Sequence, residues 1–283
     1  MKSLLILFLK GMVIGFANLI PGVTLATAAF LIGSYTHILQ ALRSLNITAL
    51  RYAYEKRWRN LEQHIPWRLL VMMPLGIFIS TYLLPLLLPI TYWESLYKPK
   101  IYAFICGLIL GGLGFAIANH RGAGFSGFLL FFAGLCASTL PLTMQIHPLP
   151  VSWEYQFFTG IVGTLTEMIP GIPESVSHKL TGDYQALAYY SDRGYWPATL
   201  LFIAGVVVGL LLILSLLALM FRRFQEQTTS LLFGLTAGVM LQLWPLRFMQ
   251  NNAENSLMMV GICFASGVTV SALLQFVQRR TLA

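Results

Sequence analysis

Two Pro-Gly pairs are the features of this sequence best suited to binding chemistry, because each would interrupt a helix inside an apolar segment. Pro21-Gly22 and Pro170-Gly171 lie 149 residues apart. A proline removes one backbone N–H and disfavours helix in the residue before it, so helices should end at Ile20 and at Ile169. The helix that starts after each turn has free backbone N–H groups and a positive dipole end, which favour phosphate or carboxylate.

Hydroxyl and amino groups near these turns could complete an anion site. A charged side chain at a lipid-facing bilayer centre costs about 2.5 kcal/mol or more, so the ionisable residues of these segments should face a cavity or one another. For Lys10 and Lys179 the alternative is that the side chain extends to the headgroup region. We expect substrate contacts from Lys10, Pro21, Gly22, Thr24, Thr27, Pro170, Gly171, Ser175, Ser177 and Lys179.

Two carboxylates and two imidazoles near the turns could carry protons. Glu167 and Glu174 flank the second Pro-Gly pair and are the candidates for proton coupling. His37 and His178 could titrate near neutral pH, although a single His is more often a hydrogen-bonded packing residue.

The second Pro-Gly pair belongs to a longer repeat. A cleaved secretion signal has no cause to recur in the middle of a chain, so the repeat argues against interpreting the N-terminus, with its Ala26-Thr27-Ala28, as a signal peptide. Three hydrophobic blocks follow each copy, which gives three crossings per half, or five if both hairpin arms cross fully. Either number is odd, so the halves should have inverted orientations. The matched residues are Gly11, Ile20, Pro21, Gly22, Leu31, Gly33 and Tyr35 with Gly160, Ile169, Pro170, Gly171, Leu180, Gly182 and Tyr184.

The composition places these elements in a membrane. The chain of 283 residues is 57% hydrophobic and 10% charged, and six apolar stretches approach the roughly 20 residues that cross a bilayer. We therefore predict an all-α integral membrane protein of two inverted repeats, each a Pro-Gly re-entrant hairpin plus three transmembrane helices. The first repeat is 1–150, with hairpin 3–42, charged loop 43–68 and helices 69–90, 101–118 and 125–146; the second is 151–283, with hairpin 156–190 and helices 197–220, 228–246 and 256–277.

The re-entrant interpretation of the hairpins depends on length and polarity. Residues 156–169 would form about 21 Å of helix at 1.5 Å per residue, less than the hydrocarbon core. The returning arm 172–184 is too polar to face lipid, and such backbone survives at membrane depth only inside protein or beside a water-filled cavity.

The charged residues predict orientation and not a polyanionic partner. With these crossings, twelve Lys and Arg residues lie in connections on one side and five on the other. This bias places the 43–68 loop and both termini in the cytoplasm, and it explains the net charge of +8 without nucleic acid. Cys106, Cys136 and Cys263 lie singly in apolar segments, so we predict small core residues, with no metal site and no cofactor.

The run from Lys10 to Thr24, the second Pro-Gly hairpin and Gly107-Leu-Ile-Leu-Gly-Gly112 resemble the bacterial polyprenyl-phosphate transporter family. The resemblance covers essentially the whole chain. It implies a bacterial inner-membrane protein, not an enzyme, that returns undecaprenyl phosphate from the outer to the inner leaflet for reuse in cell-envelope synthesis. The expected partners are this lipid and the bilayer, and homo-oligomerisation stays open.

The chain departs from the family pattern at both turns. The family reads Pro-Gly-x-Ser-Gly-Gly and Pro-Gly-x-Ser-Gly-Ser, whereas this chain has Pro21-Gly-Val-Thr-Leu-Ala26 and Pro170-Gly-Ile-Pro-Glu-Ser175. Thr24 can replace a serine hydroxyl, but Pro173 and Glu174 remove a donor and add negative charge. This looks like a divergent member.

Two other functions fit inverted repeats with broken helices. A membrane polyprenyl-diphosphate phosphatase would need a carboxylate cluster and a hydroxyl beside an Arg, to attack and to stabilise a phosphoryl transition state. Neither hairpin contains an Arg, and Glu167 and Glu174 lie on opposite sides of the break. A proton-coupled carrier of a small soluble anion would use the same helix ends.

Overall fold

The computed structural model describes residues 2–19, 22–87, 90–118, 124–143, 152–172, 174–182, 185–249 and 257–282. These residues form helices joined by short turns, and no β-strand occurs among them. The predicted all-α membrane architecture is therefore confirmed. The helices of the first part of the chain are α1 (Lys2–Asn18), α2 (Leu25–Leu31), α3 (Tyr35–Ser44), α4 (Ile47–Tyr54), α5 (Trp58–His64), α6 (Trp67–Phe78), α7 (Leu84–Leu87), α8 (Ile90–Ala118) and α9 (Gly124–Thr143).

The second part of the chain repeats the order of a helix, a Pro-Gly turn and a short returning helix. The helices of this second part are α10 (Gln156–Met168), α11 (Glu174–Thr181), α12 (Gln185–Asp192), α13 (Trp196–Arg223), α14 (Gln225–Gln242) and α15 (Leu257–Leu282). α10 ends at Met168, one residue before the predicted end at Ile169.

Four described segments are long and apolar enough to cross a bilayer, namely Trp67–Leu86, Tyr97–Ala118, Trp196–Arg223 and Gln225–Arg247. They coincide with four of the six predicted crossings. The first includes a π-helical turn, Ile79–Leu83, between α6 and α7. The other two predicted crossings are α9 and α15, whose segments with described side chains, Gly124–Thr139 and Leu257–Leu273, are apolar and shorter.

The returning arm of the first hairpin is short and bent. α2 has seven residues, about 10 Å of helix, so it cannot cross the hydrocarbon core alone. The chain then turns by 120° into α3. This turn uses Gly33, whose φ is +71°, and the matched Gly182 of the second hairpin has φ +62°. Both values lie in the left-handed region that glycine adopts without strain.

Two kinds of helix–helix contact each occur twice in the fold. α1 packs on α6 as α10 packs on α13, and α8 packs on α15 as α14 packs on α9. At the centre of each contact a glycine lets two backbones approach, since a methyl group there would overlap a carbonyl oxygen. The overlapped carbonyls are Met73 for Gly11, Phe202 for Gly160, Phe264 for Gly107 and Phe131 for Gly234.

The buried core joins both parts of the chain around the hairpins. Ile14 and Val23 of the first hairpin lie in one cluster with Ile213, Phe233 and Val239 from α13 and α14. The first hairpin is thus part of the core that both parts of the chain share.

The prediction that all three cysteines are core residues is wrong for one of them. Cys106 is buried, Cys263 is partly buried and Cys136 is exposed. Gly134 and Ser138 of α9 face α14, where a methyl group added to Gly134 would overlap the backbone. A residue midway between these two positions on a helix points away from that contact, which explains the exposure of Cys136.

The predicted loop 43–68 contains two short helices, α4 and α5. The Asn46 side chain caps α4 by accepting a hydrogen bond from the Ala49 backbone N–H at 3.1 Å. Ala49, Leu61 and Ile65 form a small separate core. The loop is therefore a folded appendage to the helical assembly.

Candidate functional site

The first Pro-Gly turn leads into a helix that is capped by its own hydroxyl groups. Ile20 and Pro21 lie outside the described residues, and Gly22 has φ +93°. Thr24 is the N-cap of α2 and accepts a hydrogen bond from the Thr27 backbone N–H at 3.3 Å. The two threonine hydroxyls are 3.0 Å apart, and the exposed fractions of the residues are only 1% and 0%. Thr24 and Thr27, both predicted to contact the substrate, thus lie in the protein interior.

The second Pro-Gly turn meets the first hairpin directly. Gly171, with φ +85°, donates its backbone N–H to the Thr27 hydroxyl oxygen at 2.9 Å. Pro170 is buried beside it. The structure therefore brings together Thr27 from one turn and Gly171 from the other, which are separated by 144 residues along the chain.

A second hydrogen bond also joins the two hairpins. The Tyr35 hydroxyl donates to the carbonyl oxygen of Met168, the last residue of α10, at 2.8 Å. A buried helix end leaves carbonyls without intrahelical partners, and Tyr35 satisfies one of them. The repeat singles out Tyr35 in the sequence, and the structure shows its hydroxyl bonded to the other hairpin. Its counterpart Tyr184 lies outside the described residues.

Two polar residues that sequence reasoning missed hold the second turn from the other side. The Ser138 hydroxyl of α9 donates to the Gly171 carbonyl oxygen at 3.0 Å. Gln242 of α14 donates its side-chain amide to the Ser138 carbonyl oxygen at 2.9 Å. The available signal was a Ser and a Gln inside apolar segments, where a polar side chain needs a partner. We call Thr24, Thr27, Gly171, Ser138 and Gln242 the hairpin junction.

The charged candidates lie on the helices that precede or follow the two turns. Lys10 on α1 and Glu167 on α10 are both partly buried, whereas Lys179 on α11 is exposed. His178 is partly buried and His37 is exposed. Contact of these side chains with a substrate stays a prediction.

Three further candidates are placed only by their backbone. Glu174, Ser175 and Ser177 belong to the first turn of α11, which follows the second Pro-Gly pair as predicted, and their side chains lie outside the described part of the chain. The order of turn and helix is therefore the same in both hairpins.

An apolar cavity of about 290 Å³ borders the first hairpin. It lies between α1, α2, α8 and α15. Its lining includes Phe16, Val23, Leu31, Ile105 and Val270. Such a surface suits hydrocarbon and not an ion, so polar chemistry is confined to the junction beside it.

Comparison with known proteins supports one family. Residues 14–260 match the family described as undecaprenyl phosphate translocase-like. A protein of Vibrio cholerae serotype O1 named polyprenyl-phosphate transporter is 28% identical over 240 residues, which cover 84% of this chain and 77% of that protein. No solved structure matches the chain. Because the match spans both Pro-Gly turns and most of the chain, this chain belongs to the undecaprenyl phosphate translocase-like family.

Proposed function

We propose that this protein moves undecaprenyl phosphate from the outer to the inner leaflet of a bacterial inner membrane, so that the lipid carrier is reused in envelope synthesis. Family membership supports the lipid substrate. The observation that carries the proposal is the 2.9 Å hydrogen bond between Gly171 and Thr27, because it places two interrupted helices in contact within the apolar core. Interrupted helices in the interior of a membrane protein occur where they are buried in protein or line a cavity or substrate path, and a route for the lipid head group is such a path.

The hairpin junction offers groups that a phosphate could use in exchange. In the described structure the Gly171 amide and the Thr24 and Thr27 hydroxyls satisfy one another. A phosphate oxygen accepting from the Gly171 N–H and from Thr27 would replace that contact with stronger, charge-assisted hydrogen bonds. We propose that Ser175 and Ser177 add hydroxyl donors and that Lys10 or Lys179 neutralises the head group.

The prenyl tail requires no polar route. In this proposal it stays in lipid, along the apolar cavity beside α1 and α2, while only the phosphate crosses between the hairpins. Only the charged phosphate must then cross the hydrocarbon core. This group has the largest free-energy cost of transfer into the bilayer.

Alternating access would come from rocking of the two halves, with both termini in the cytoplasm. The matched glycine contacts of α1 on α6 and of α10 on α13 support related halves. Glu167 adjoins Met168, the residue bonded to Tyr35, so a proton on Glu167 could affect the contact between the hairpins. We propose Glu167 as the proton-coupling residue, with Glu174 as the second candidate.

Transfer of a labelled polyprenyl phosphate across proteoliposome leaflets tests this function. Wild type should move the lipid faster than empty liposomes. Lys10→Ala should slow transfer about tenfold, the expected loss for one hydrogen bond to a charged group. Glu167→Gln should transfer lipid without acceleration by an inward proton gradient.

The control for these variants is Lys56→Ala in the extramembrane loop, an exposed lysine away from the hairpins. It should transfer lipid at the wild-type rate. Transfer by wild type no faster than by empty liposomes would refute the function, and equal rates for Lys10→Ala and Lys56→Ala would remove Lys10 from the route.

A further inference from the structure

A polar pocket that shares no residue with the hairpin junction lies at the connection between α13 and α14. It has a volume of about 440 Å³ and is formed by α3 together with the end of α13 and the start of α14. The residues that line it are Thr36, Leu39, Gln40, Arg43, Ala218, Phe221, Arg222 and Gln225. Two of them, Arg43 and Arg222, come from different halves of the chain.

Helical spacing explains how this pocket is formed. Thr36, Gln40 and Arg43 are four and three residues apart, so they share one face of α3. Ala218 and Arg222 are likewise four residues apart on α13. α3 contacts α13 in the fold, and these two faces turn toward each other. The polar side chains are therefore brought together by regular helix geometry.

The pocket is equipped for an anion. Neither Arg43 nor Arg222 forms an ion pair within the described part of the chain, and none of the described lining residues is acidic. Two guanidinium groups beside one pocket repel each other until an anion lies between them. Their planar arrays of donors match the oxygens of a phosphate, and Gln40, Thr36 and Gln225 can add hydrogen bonds.

One aromatic contact links the pocket to the hydrogen bond between Tyr35 and Met168. The ring of Phe221, which lines the pocket, lies 6.5 Å from the ring of Tyr35, centroid to centroid. The Tyr35 hydroxyl donates to Met168 at the break of the second hairpin. A ligand in this pocket would therefore lie near one of the two hydrogen bonds that join the hairpins, the bond between Tyr35 and Met168.

The depth of the pocket favours a lipid ligand. α13 is apolar from Leu200 to Phe221 and ends with Arg222 and Arg223. Such a change from apolar to basic residues is expected at the level of lipid head groups. Leu39, Ala218 and Phe221 supply apolar lining beside the two arginines.

We propose that this pocket, which we call the arginine pocket, binds the phosphate monoester head group of the transported lipid at the cytoplasmic end of its route. The inference rests on the proposed function for the identity of the lipid and for its direction. It assigns to Arg43 and Arg222 the reception of the head group after it has passed the hairpin junction. Release from the arginine pocket would then complete the passage to the inner leaflet.

Equilibrium binding of a polyprenyl monophosphate to the purified full-length chain in detergent tests the arginine pocket. Arg43→Gln and Arg222→Gln should each weaken the affinity about tenfold or more, because each removes a hydrogen bond to a charged group. The matched control is Arg223→Gln, which removes an exposed arginine of the same helix turn that does not line the pocket. The uncharged polyprenol should bind all four proteins equally.

Three outcomes would overturn the proposal. The first is wild-type affinity in both pocket variants, and the second is an equal loss in Arg223→Gln. The third is competition by inorganic phosphate at the same concentration as the lipid, which would assign the pocket to a soluble anion. Leaflet transfer by wild type is measured separately, so failure of the transport function and failure of the arginine pocket give different results.

Discussion

Gly171→Ala is expected to cause the largest loss of stability of any single methyl addition in the hairpins. Gly171 has φ +85°, where a residue with a Cβ pays about 1–2 kcal/mol. The added methyl would also overlap the backbone of Leu235 and Thr236 in α14, and overpacking of this kind costs about 1–3 kcal/mol more. Backbone atoms in a helix cannot move aside as a side chain does. Thermal unfolding in detergent should show a clear fall in the midpoint, with loss of lipid transfer.

Substitutions of two other glycines separate the loss of stability caused by backbone strain from the loss caused by steric overlap. Gly194 has φ +67° and no atom within 4 Å of an added Cβ, so Gly194→Ala should show the backbone strain alone. Gly22, with φ +93°, would meet the Leu243 side chain at 3.0 Å, which can shift. The expected order of destabilisation is therefore Gly171→Ala, then Gly22→Ala, then Gly194→Ala. Equal midpoints for Gly171→Ala and Gly194→Ala would contradict the close passage of α14 behind the second turn.

Thr27→Val is the second substitution with a large expected effect. Valine keeps the shape of the threonine but leaves the buried Gly171 N–H without its acceptor, and an unsatisfied buried donor costs about 1–3 kcal/mol. It also deprives the Thr24 hydroxyl of its partner at 3.0 Å. The midpoint of thermal unfolding should fall, and hydrogen exchange at the Gly171 amide should become faster.

The control for this effect is Thr27→Ser, which keeps the hydroxyl and loses only a methyl group. It should retain most of the stability and the slow exchange at Gly171. If Thr27→Val and Thr27→Ser exchange equally fast at Gly171, the hydrogen bond between the hairpins does not hold them together.

The hairpins could be predicted because their signals are local. Pro-Gly ends one helix and begins another whatever surrounds it, and the repetition after 149 residues marks both turns. The structure agrees at Gly22 and Gly171, and again at Gly33 and Gly182, since all four have positive φ. Crossings such as Trp196–Arg223 were likewise visible as unbroken apolar runs.

The contacts that complete the hairpin junction could not be predicted, because they join distant positions. Ser138 bonds a residue 33 positions away and Gln242 one 104 positions away. A polar residue in an apolar segment signals that a partner exists without telling which one. The same limit applies to Arg43 and Arg222, which charge counting assigned to one side but could not bring to one pocket.

The short helices of the 43–68 loop show a different limit. Asn46 is a recognisable N-cap, yet the charged residues around it suggested an irregular connection. Helices of seven or eight residues are marginal by propensity alone and depend on packing. Here Ala49, Leu61 and Ile65 provide that packing, which only the fold reveals.

Photocrosslinking tests most directly whether the lipid head group passes between the two hairpins. The probe is a polyprenyl phosphate that carries a photoreactive group next to the phosphate and is supplied to proteoliposomes during transfer. We expect labelled peptides from both hairpins, within residues 10–35 and 160–182. Labelled protein with no label on either hairpin, under conditions in which the lipid is transferred, would contradict it.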